Sequence, residues 1–357
     1  MQKHPFKLRH EVQDLAKVNV LEVPVKLSIS DQIDVDSKPL IACNVYNKRE
    51  LSTLYYVLLD DRGDMQVFKE EAGILPTLFK SPAETVYVSL VPYHPDKELE
   101  ISIPLFRDAD FPLPPGKRPF LGDYIGISGD SSIFHYVNNW SDTKPDILMG
   151  IAFKNGRIQR KKQVKLPLPR KNIPFINQGE IHLVGREENV WIHRQVDTLG
   201  QELRRRTLPS MRIFYRAVIS MSFEGDSYLL AQDAEGAIVL DIVQMDGSIN
   251  SVQLLDLGEP FYNVWKPVRI GAACYVVQFN AEHGNGWFTM RGGKLLEFFY
   301  SKDTQGYKDL LTNACIHLAE PNLISGICKT GEMAYAVVLY TGGAEGAKQI
   351  QVLHRQL

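Results

Sequence analysis

Leu199-Gly200-Gln201 precedes a short amphipathic strand, and Asp246-Gly247-Ser248 does the same 47 residues later. The same glycine turn before a strand occurs at Arg62-Gly63-Asp64, Asn155-Gly156-Arg157 and Gly292-Gly293-Lys294. From Gly156 onward the glycines lie 44, 47 and 46 residues apart, and the 93 residues between Gly63 and Gly156 are about two such intervals. A repeat of this length with several short strands in each unit is typical of a β-propeller.

The spacing predicts an all-β chain folded as a seven-bladed β-propeller. A turn near Ala109 would fill the gap in the series, and Gly342-Gly343 supplies a late seventh member. β-Branched and aromatic residues lie between the turns, as strands and hairpins require. The second unit is the weakest, because the proline-rich stretch Phe111 to Pro115 cannot donate to a strand ladder. Six blades are therefore the fallback prediction.

The repeat fills most of the chain, so we expect residues 23–357 to form a single propeller domain. Residues 1–22 are then an N-terminal extension. Leu8, Val12 and Leu15 give it a short helical stripe, while Val18 and Val20 favour an extended segment. A closed ring must join its first and last blades, so this extension is a candidate clasp for the ring.

Composition narrows the class of protein. The formal net charge of −2 gives no global attraction to nucleic acid or to an anionic membrane. No apolar run approaches the roughly 20 residues of a transmembrane helix. The polar start Met1 to Phe6 lacks the apolar core of a secretory signal. We expect a cytoplasmic protein, or one exported without a classical signal peptide.

Cysteine and histidine spacing predicts no metal site and no cofactor. The four cysteines form no CxxC pair, which favours buried free thiols in a reducing compartment. His182 and His193 fall on adjacent predicted strands and could face each other. No carboxylate stands at ligand spacing from them, so a structural pair is the preferred interpretation.

One segment resembles a known family. Gly122-Asp123-Tyr124-Ile125-Gly126-Ile127, followed by Trp140-Ser141-Asp142-Thr143-Lys144, is similar to a segment common in bacterial sialidase-like (BNR-type) β-propeller proteins. The resemblance covers about one blade. It implies a propeller, with carbohydrate among the commonest ligands. The chain lacks the Ser-x-Asp-x-Gly-x-x-Trp boxes of true sialidases, which argues against sialidase catalysis.

Polar residues on predicted inner strands are candidates for a site at the mouth of the central channel. Arginines can bind a carboxylate through bidentate hydrogen bonds, and the candidate ligand-binding residues are Arg118, Tyr124, Arg216 and Arg269. By the logic of glycoside cleavage an aspartate could serve as general acid and a Tyr/Glu pair as nucleophile; the candidates are Asp123, Tyr262 and Glu259. Pairing of these groups with one another at strand ends is the structural alternative.

A second candidate surface is basic. Lys154 to Lys171 contains eight basic residues and no acidic one, and a further arginine run follows in the next unit. On neighbouring outer strands these would form a rim patch made of Lys161, Lys162, Lys165, Arg204, Arg205 and Arg206. Such a patch fits an acidic protein surface or an anionic glycan, whereas nucleic acid is disfavoured because no aromatic residues are interleaved. The structural alternative is edge-strand protection, for which lysine is well suited.

No assembled catalytic motif occurs in the sequence. We therefore expect a non-catalytic β-propeller recognition module that binds a glycan or a protein partner. Two alternatives stay open. One is a sialidase-like glycoside hydrolase or lyase that acts at the channel mouth, and the other is a scaffold subunit of a larger assembly.

Overall fold

Every regular element among the described residues is a β-strand, which confirms the all-β prediction. The computed structural model describes residues 4–46, 52–70, 74–80, 86–91, 100–102, 123–129, 132–137, 147–154, 157–166, 172–209, 221–223, 226–244, 246–265, 267–302, 306–318, 322–341 and 347–357. Within them no helix is long and apolar enough to cross a membrane. Backbone contacts divide the chain into a first unit (Met1–Phe79, Val88–Ile101 and Val268–Leu357) and a second unit (Lys80–Tyr87 and Ser102–Pro267).

The strands follow one another along the chain in three groups. The first group is β1 (Lys7–Val12), β2 (Lys17–Val35), β3 (Lys38–Tyr46), β4 (Ser52–Leu59), β5 (Met65–Glu70), β6 (Ile74–Lys80), β7 (Val86–Val91) and β8 (Glu100–Ser102). The second is β9 (Asp123–Ile127), β10 (Ser132–Val137), β11 (Ile147–Lys154), β12 (Arg157–Lys165), β13 (Ile173–Asn177), β14 (Glu180–Glu187), β15 (Val190–Val196), β16 (Glu202–Thr207), β17 (Met221–Phe223), β18 (Asp226–Gln232), β19 (Ile238–Val243), β20 (Ile249–Leu255) and β21 (Phe261–Val264). The third is β22 (Val268–Gly271), β23 (Cys274–Ala281), β24 (Gly284–Arg291), β25 (Lys294–Ser301), β26 (Gly306–Asp309), β27 (Cys315–His317), β28 (Asn322–Gly331), β29 (Ala334–Thr341) and β30 (Ala347–Gln356).

Strand β2 joins the two ends of the chain in one sheet. Its first part, Lys17–Glu22, pairs antiparallel with β30, and its last part, Leu27–Val35, pairs with β3. The sheet therefore runs β28-β29-β30-β2-β3-β4-β5, with β1 on β2. The predicted helical stripe is wrong, because Leu8 and Val12 lie in β1, which pairs along its length with β2. The hairpin satisfies the backbone groups of this segment while leaving β1 mostly exposed.

Strands β22 to β27 of the first unit lie in a sheet rich in buried aromatic residues. Its strands β23 to β27 are neighbours in sequence order, and β22 pairs with β23. Trp287 stacks on Phe299 with ring centroids 4.9 Å apart, and Tyr307 lies 4.6 Å from the same indole. These rings belong to a core that also contains Val18, Val20 and Val337 of the larger sheet.

The second unit contains three four-stranded meanders, formed by β9–β12, β13–β16 and β17–β20. Each strand pairs antiparallel with the next, as short strands joined by tight turns require. Phe134, Leu148, Ile181 and Leu183 are fully buried members of the core between the first two meanders.

Three of the five repeated glycines, Gly63, Gly200 and Gly247, occupy the same position in the same kind of turn. At Asp60–Asp64, Asp197–Gln201 and Gln244–Ser248 the first residue's N–H donates to the fifth residue's carbonyl at 2.9–3.1 Å. The fourth residue of each turn is a glycine with φ of +89°, +85° or +93°, a left-handed conformation that favours glycine. Asp60 and Asp197 also accept backbone N–H groups of their own turns through Oδ1. The turn at Gly156 lies outside the described residues.

The blade count differs from the prediction. The described residues hold five antiparallel sheets of four or more strands in a β-propeller arrangement, with a separate three-stranded sheet β6-β7-β8. Seven blades, and six as the fallback, are therefore corrected to five. One reason is that β2 pairs with both β3 and β30, which joins the predicted first and last units in one continuous sheet. The other is that β7 and β8 of the predicted second unit belong, as far as the chain is described, to a sheet of only three strands. The proline-rich stretch 111–115 of the predicted second unit lies outside the described residues.

Candidate functional site

A polar cleft of about 710 Å³ lies in the first unit, where several turns meet the final strand. Its walls are Val12–Lys17, Asp36–Lys38, Asp60–Arg62 and His354–Gln356, together with Thr330 and Ala334. We refer to this cavity as the turn cleft. The β1–β2, β2–β3 and β4–β5 turns supply three of the walls, so loops displayed on a rigid sheet form most of its surface.

The β2–β3 turn is strained at the cleft. Asp36 and Ser37 connect the paired residues Val35 and Lys38, and their φ angles are +46° and +63°. A two-residue turn of this kind suits the twist of a hairpin but normally uses Asn or Gly. Residues other than glycine cost about 1 kcal/mol or more in this conformation, and such strain is concentrated at functional sites.

Two lysines are paired with neighbouring aspartates in the cleft. Lys17 Nζ lies 2.6 Å from Asp61 Oδ2, and Lys38 Nζ lies 3.5 Å from Asp60 Oδ2. The hydrogen bond from Lys17 lowers the pKa of the Asp61 carboxyl. Partial burial by itself raises the pKa of Asp60, but the N–H groups of Asp64 and Arg62 together with Lys38 outweigh it and lower the pKa. Both carboxylates are therefore ionised at neutral pH.

A buried hydrogen-bond network lies behind this wall. Asn19 is fully buried; its Nδ2 donates to the Asp60 carbonyl at 2.7 Å and to His354 Nε2 at 3.0 Å. Its Oδ1 accepts from His10 Nδ1 at 2.6 Å. His354 therefore carries its neutral-state proton on Nδ1. Burial lowers the pKa of His354 to about 4, so this imidazole is uncharged at neutral pH.

Arg355 connects the cleft to the aromatic core. Its guanidinium contacts the buried carboxylate of Glu297, with Nε 2.9 Å from Oε1, and its Nη1 donates to the Leu15 carbonyl at 2.5 Å. The other oxygen of Glu297 accepts from the Tyr335 hydroxyl at 3.0 Å, and that hydroxyl accepts from Trp287 Nε1 at 3.0 Å. The network fixes the position of the β1–β2 turn relative to β30.

Three charged side chains of the turn cleft have no such partner. Asp14, Asp36 and Arg62 are exposed and make no side-chain hydrogen bond or ion pair with any other described residue. They are the groups that remain available to a ligand. Sequence reasoning missed all three. The available signal was that the charged turns 36–37 and 60–64 must lie at the same end of an antiparallel meander.

The sequence-predicted channel residues do not line the turn cleft. Arg118 and Arg216 lie outside the described residues, and Asp123 and Tyr124 are described only as backbone of β9. Tyr262 is 63% exposed, and Glu259 is half-buried. Arg269 is exposed on β22, where its Nε donates to the Gly271 carbonyl at 3.2 Å. The predicted channel site stays a prediction.

Part of the predicted basic patch is occupied by internal partners. Arg205 and the buried Arg194 both contact the Glu187 carboxylate, and Arg206 Nη1 donates to the Gln244 carbonyl at 2.9 Å. Arg204 and Lys165 are exposed. Lys161 and Lys162 lie on β12, where only their backbone is described. Among the patch residues whose side chains are described, Arg204 and Lys165 are exposed, and Arg205 is exposed although it is paired with Glu187.

His182 and His193 face each other, as their strand positions predicted. His182 Nδ1 lies 3.0 Å from His193 Nε2, and both residues are only 5% exposed. Burial lowers the pKa of His182 to about 4 and that of His193 to about 3. The described residues contain no group of three His, Cys, Asp or Glu side chains placed to hold a metal ion.

No protein-family model and no curated protein matches the chain. A puromycin-hydrolysing peptidase of Mycobacterium tuberculosis is similar in structure over 91% of this chain and 50% of its own, with a TM-score of 0.54 and 13% identity. The β-propeller domain of the Trilobed protease from Pyrococcus furiosus, which has an open velcro topology, matches over 91% of this chain and 95% of its own, with a TM-score of 0.53 and 10% identity. Prolyl oligopeptidase B of Galerina marginata gives a TM-score of 0.52 at 11% identity, over 88% of this chain and 47% of its own. This chain thus spans about half the length of the two peptidases. At these identities the likeness shows the fold alone, a β-propeller.

Proposed function

We propose that this chain is a non-catalytic recognition module whose turn cleft binds a segment of a partner protein carrying charged side chains of both signs. The observation that carries the proposal is the division of charges in the cleft. Lys17, Lys38 and Arg355 are each held by an internal carboxylate, whereas Asp14, Asp36 and Arg62 line the cleft with no ion pair to any described residue.

The unpaired groups define the chemistry of the ligand. Arg62 presents a planar guanidinium, which suits a carboxylate through two parallel hydrogen bonds. Asp14 and Asp36 suit an ammonium or guanidinium group. The turn of Arg62 is anchored by Asn19, which donates to the Asp60 carbonyl, and the turn of Asp14 by Arg355, which donates to the Leu15 carbonyl, so ordering these two turns adds little to the cost of binding.

The lining favours a peptide over a glycan. Sugar-binding sites commonly use an exposed aromatic face, on which the apolar side of the ring stacks. Among the described residues that line the turn cleft there is no Phe, Tyr or Trp side chain. A glycan, which the sequence resemblance favours, is therefore the second ligand class, and the sialidase-like resemblance itself stays a prediction.

The residues that line the turn cleft also favour ligand binding over catalysis. Ser37 and Thr330 are its hydroxyl groups, and neither is hydrogen bonded to a base within the described part of the chain. The Nε2 atom of His354 already accepts a hydrogen bond from Asn19, so it does not serve as a base for either hydroxyl. Glycoside cleavage needs one protonated carboxyl, yet Asp60 and Asp61 both have lowered pKa values and both contact lysines.

The experiment is a binding screen against three panels. They are ten-residue peptides with lysine and glutamate in defined orders, neutral peptides of the same length, and a glycan array. We expect mixed-charge peptides to bind, and the triple variant Asp14→Asn/Asp36→Asn/Arg62→Gln to weaken that binding at least tenfold. Glu235→Gln/Arg291→Gln is the control, because both residues are exposed and neither lines the cleft.

Three results would contradict the proposal. One is peptide binding that the triple variant leaves unchanged. Another is binding to glycans but not to peptides. The third is turnover of any member of a glycoside panel, which would support the hydrolase or lyase alternative. A stoichiometric protein partner that stays bound to the triple variant would support the scaffold alternative instead.

A further inference from the structure

A buried stack of three rings lies on one face of the β13–β16 sheet. His182 lies 5.2 Å from the ring of Phe175 at an interplanar angle of 3°, and His193 stacks on both rings at 5.1–5.8 Å. Neither His182 Nε2 nor His193 Nδ1 makes a hydrogen bond to a described residue. Two adjacent imidazoles thus share one hydrogen bond and have little access to water.

The surroundings of the pair disfavour a second charge. Within the described residues, the charged groups that face it are Arg206 of β16 and Glu180 of β14; β13 contributes only Phe175, and β15 contributes His193 itself. Glu180 Oε2 is 3.7 Å from His182 Nε2, so the first proton has a carboxylate nearby. Arg206 is directly opposite His193 in the strand register and opposes protonation of both rings.

Strand β16 borders this site, since its Arg206 is the register partner of His193. It is the edge strand of the sheet, and five of its six residues, Glu202–Arg205 and Thr207, are exposed. Arg206 fastens it to the neighbouring meander by donating to the Gln244 carbonyl at 2.9 Å. Water can reach His193 when β16 separates from β15, and the charged imidazole is then solvated and farther from Arg206.

We propose that the His182–His193 pair is an acid-sensitive latch on β16. At neutral pH the uncharged pair supports the paired edge strand, and at lower pH proton uptake by the pair drives release of Glu202–Thr207 from β15. Release also frees Arg206 from Gln244, so acid adds Arg206 to the already exposed Arg204 and Arg205. This inference is independent of the turn cleft and of its proposed ligand.

Hydrogen exchange at the β16 amides tests the latch in the full chain. Protection factors, corrected for the intrinsic exchange rate, are compared at pH 7 and pH 5. A histidine has a pKa of about 6.5 when exposed, and here a pKa of about 4 or below when buried. This difference raises the equilibrium constant for opening of β16 about 20-fold between pH 7 and pH 5. We expect β16 to lose protection by that factor for each histidine that opening exposes, while β24 changes far less.

The double variant His182→Phe/His193→Phe keeps the ring stack and removes both titrating groups. It should make β16 protection independent of pH, whereas His317→Gln, at an exposed histidine, should behave like the wild type. If the double variant does not fold, NMR titration of the wild-type imidazoles decides, since both rings should protonate together with the loss of β16 protection. Wild-type protection of β16 that is equal at the two pH values, or a double variant that retains the pH response, would overturn the latch.

Discussion

Asn19 donates a hydrogen bond to Nε2 of His354 at 3.0 Å, although 335 residues separate the two along the chain. The bond lies beside the pairing of Lys17–Glu22 with β30, which places an N-terminal strand next to the last strand of the chain. Asn19 also bonds His10 and the Asp60 carbonyl. One buried amide thus connects the N-terminal hairpin, the β4–β5 turn and the C-terminal strand behind the turn cleft.

Replacing Asn19 with Leu should destabilise the protein strongly. The change leaves the buried His354 imidazole without its Asn19 partner and removes one of two hydrogen bonds to the Asp60 carbonyl, which also accepts from the Gly63 N–H at 3.3 Å. An unsatisfied buried polar group costs about 1–3 kcal/mol, and the leucine side chain adds a misfit in the packed site. We expect a loss of about 3 kcal/mol in the free energy of unfolding, measured by urea denaturation. Asn250→Leu, at an exposed position, is the control and should change stability by less than about 0.5 kcal/mol. Equal effects of the two substitutions would contradict this account of the network.

Buried neutral histidines should make the fold acid-labile. Burial lowers the folded-state pKa of His354 to about 4, whereas the unfolded value is about 6.5. The unfolded state therefore binds more protons between these pH values, and stability falls as the pH drops through that window. The expected slope from His354 alone is about 1.4 kcal/mol per pH unit. His354→Gln should remove that part of the slope, and an unchanged slope in the variant would show that His354 titrates normally.

Tyr335→Phe tests the network behind Arg355. The hydroxyl of Tyr335 accepts from Trp287 and donates to the buried Glu297 carboxylate, so its removal leaves both groups short of a partner. We expect the free energy of unfolding to fall by about 2–4 kcal/mol. Tyr262→Phe is the matched control, because Tyr262 is 63% exposed and its change should be close to neutral. A neutral Tyr335→Phe would mean that water or another group replaces the hydroxyl.

Alanine substitutions at Gly200 and Gly258, which have similar φ angles, separate the steric cost of an added Cβ from the cost of a left-handed backbone. Gly200 has φ +85°, and a Cβ there would lie 2.8 Å from Val164 Cγ1; Gly258 has φ +67° and open space around it. Gly258→Ala should cost about 1 kcal/mol from the left-handed conformation alone. Gly200→Ala should cost about 1–3 kcal/mol more, because Val164 belongs to a packed core. Thermal denaturation of both variants checks the difference, and equal costs would contradict the packing at Gly200.

The sequence correctly predicted the turns and the strand pattern, because these depend on residues that are close together in the chain. The glycines at 63, 200 and 247 mark identical left-handed turn positions, so their spacing indicated the strand pattern and the propeller architecture correctly. The blade number was wrong in part because β2 runs from the predicted extension into the first predicted unit and pairs with strands of both the first and the last unit, a long-range pairing that no local turn signal reveals. The helical stripe at Leu8 and Val12 was wrong because a polar edge strand shows little alternation.

The candidate site could not be read from the sequence. Its contacts join residues far apart in the chain, such as Lys17 with Asp61 and Gln13 with the backbone of His317. No spacing rule relates such pairs until the sheet register is known. The basic run was visible in the sequence, but the partners of Arg205 and Arg206 were not, since Glu187 and Gln244 lie on other strands and turns.

Hydrogen-exchange footprinting of the tightest-binding mixed-charge peptide is the most direct test of the turn cleft as a recognition site. The account predicts added protection at the β1–β2 turn 13–17, the β2–β3 turn 36–38 and the β4–β5 turn 60–64 on peptide addition. It predicts no added protection at β12 or β16, which carry the basic patch. Protection confined to β12 and β16, or absent from all three turns at saturating peptide, would contradict the central claim.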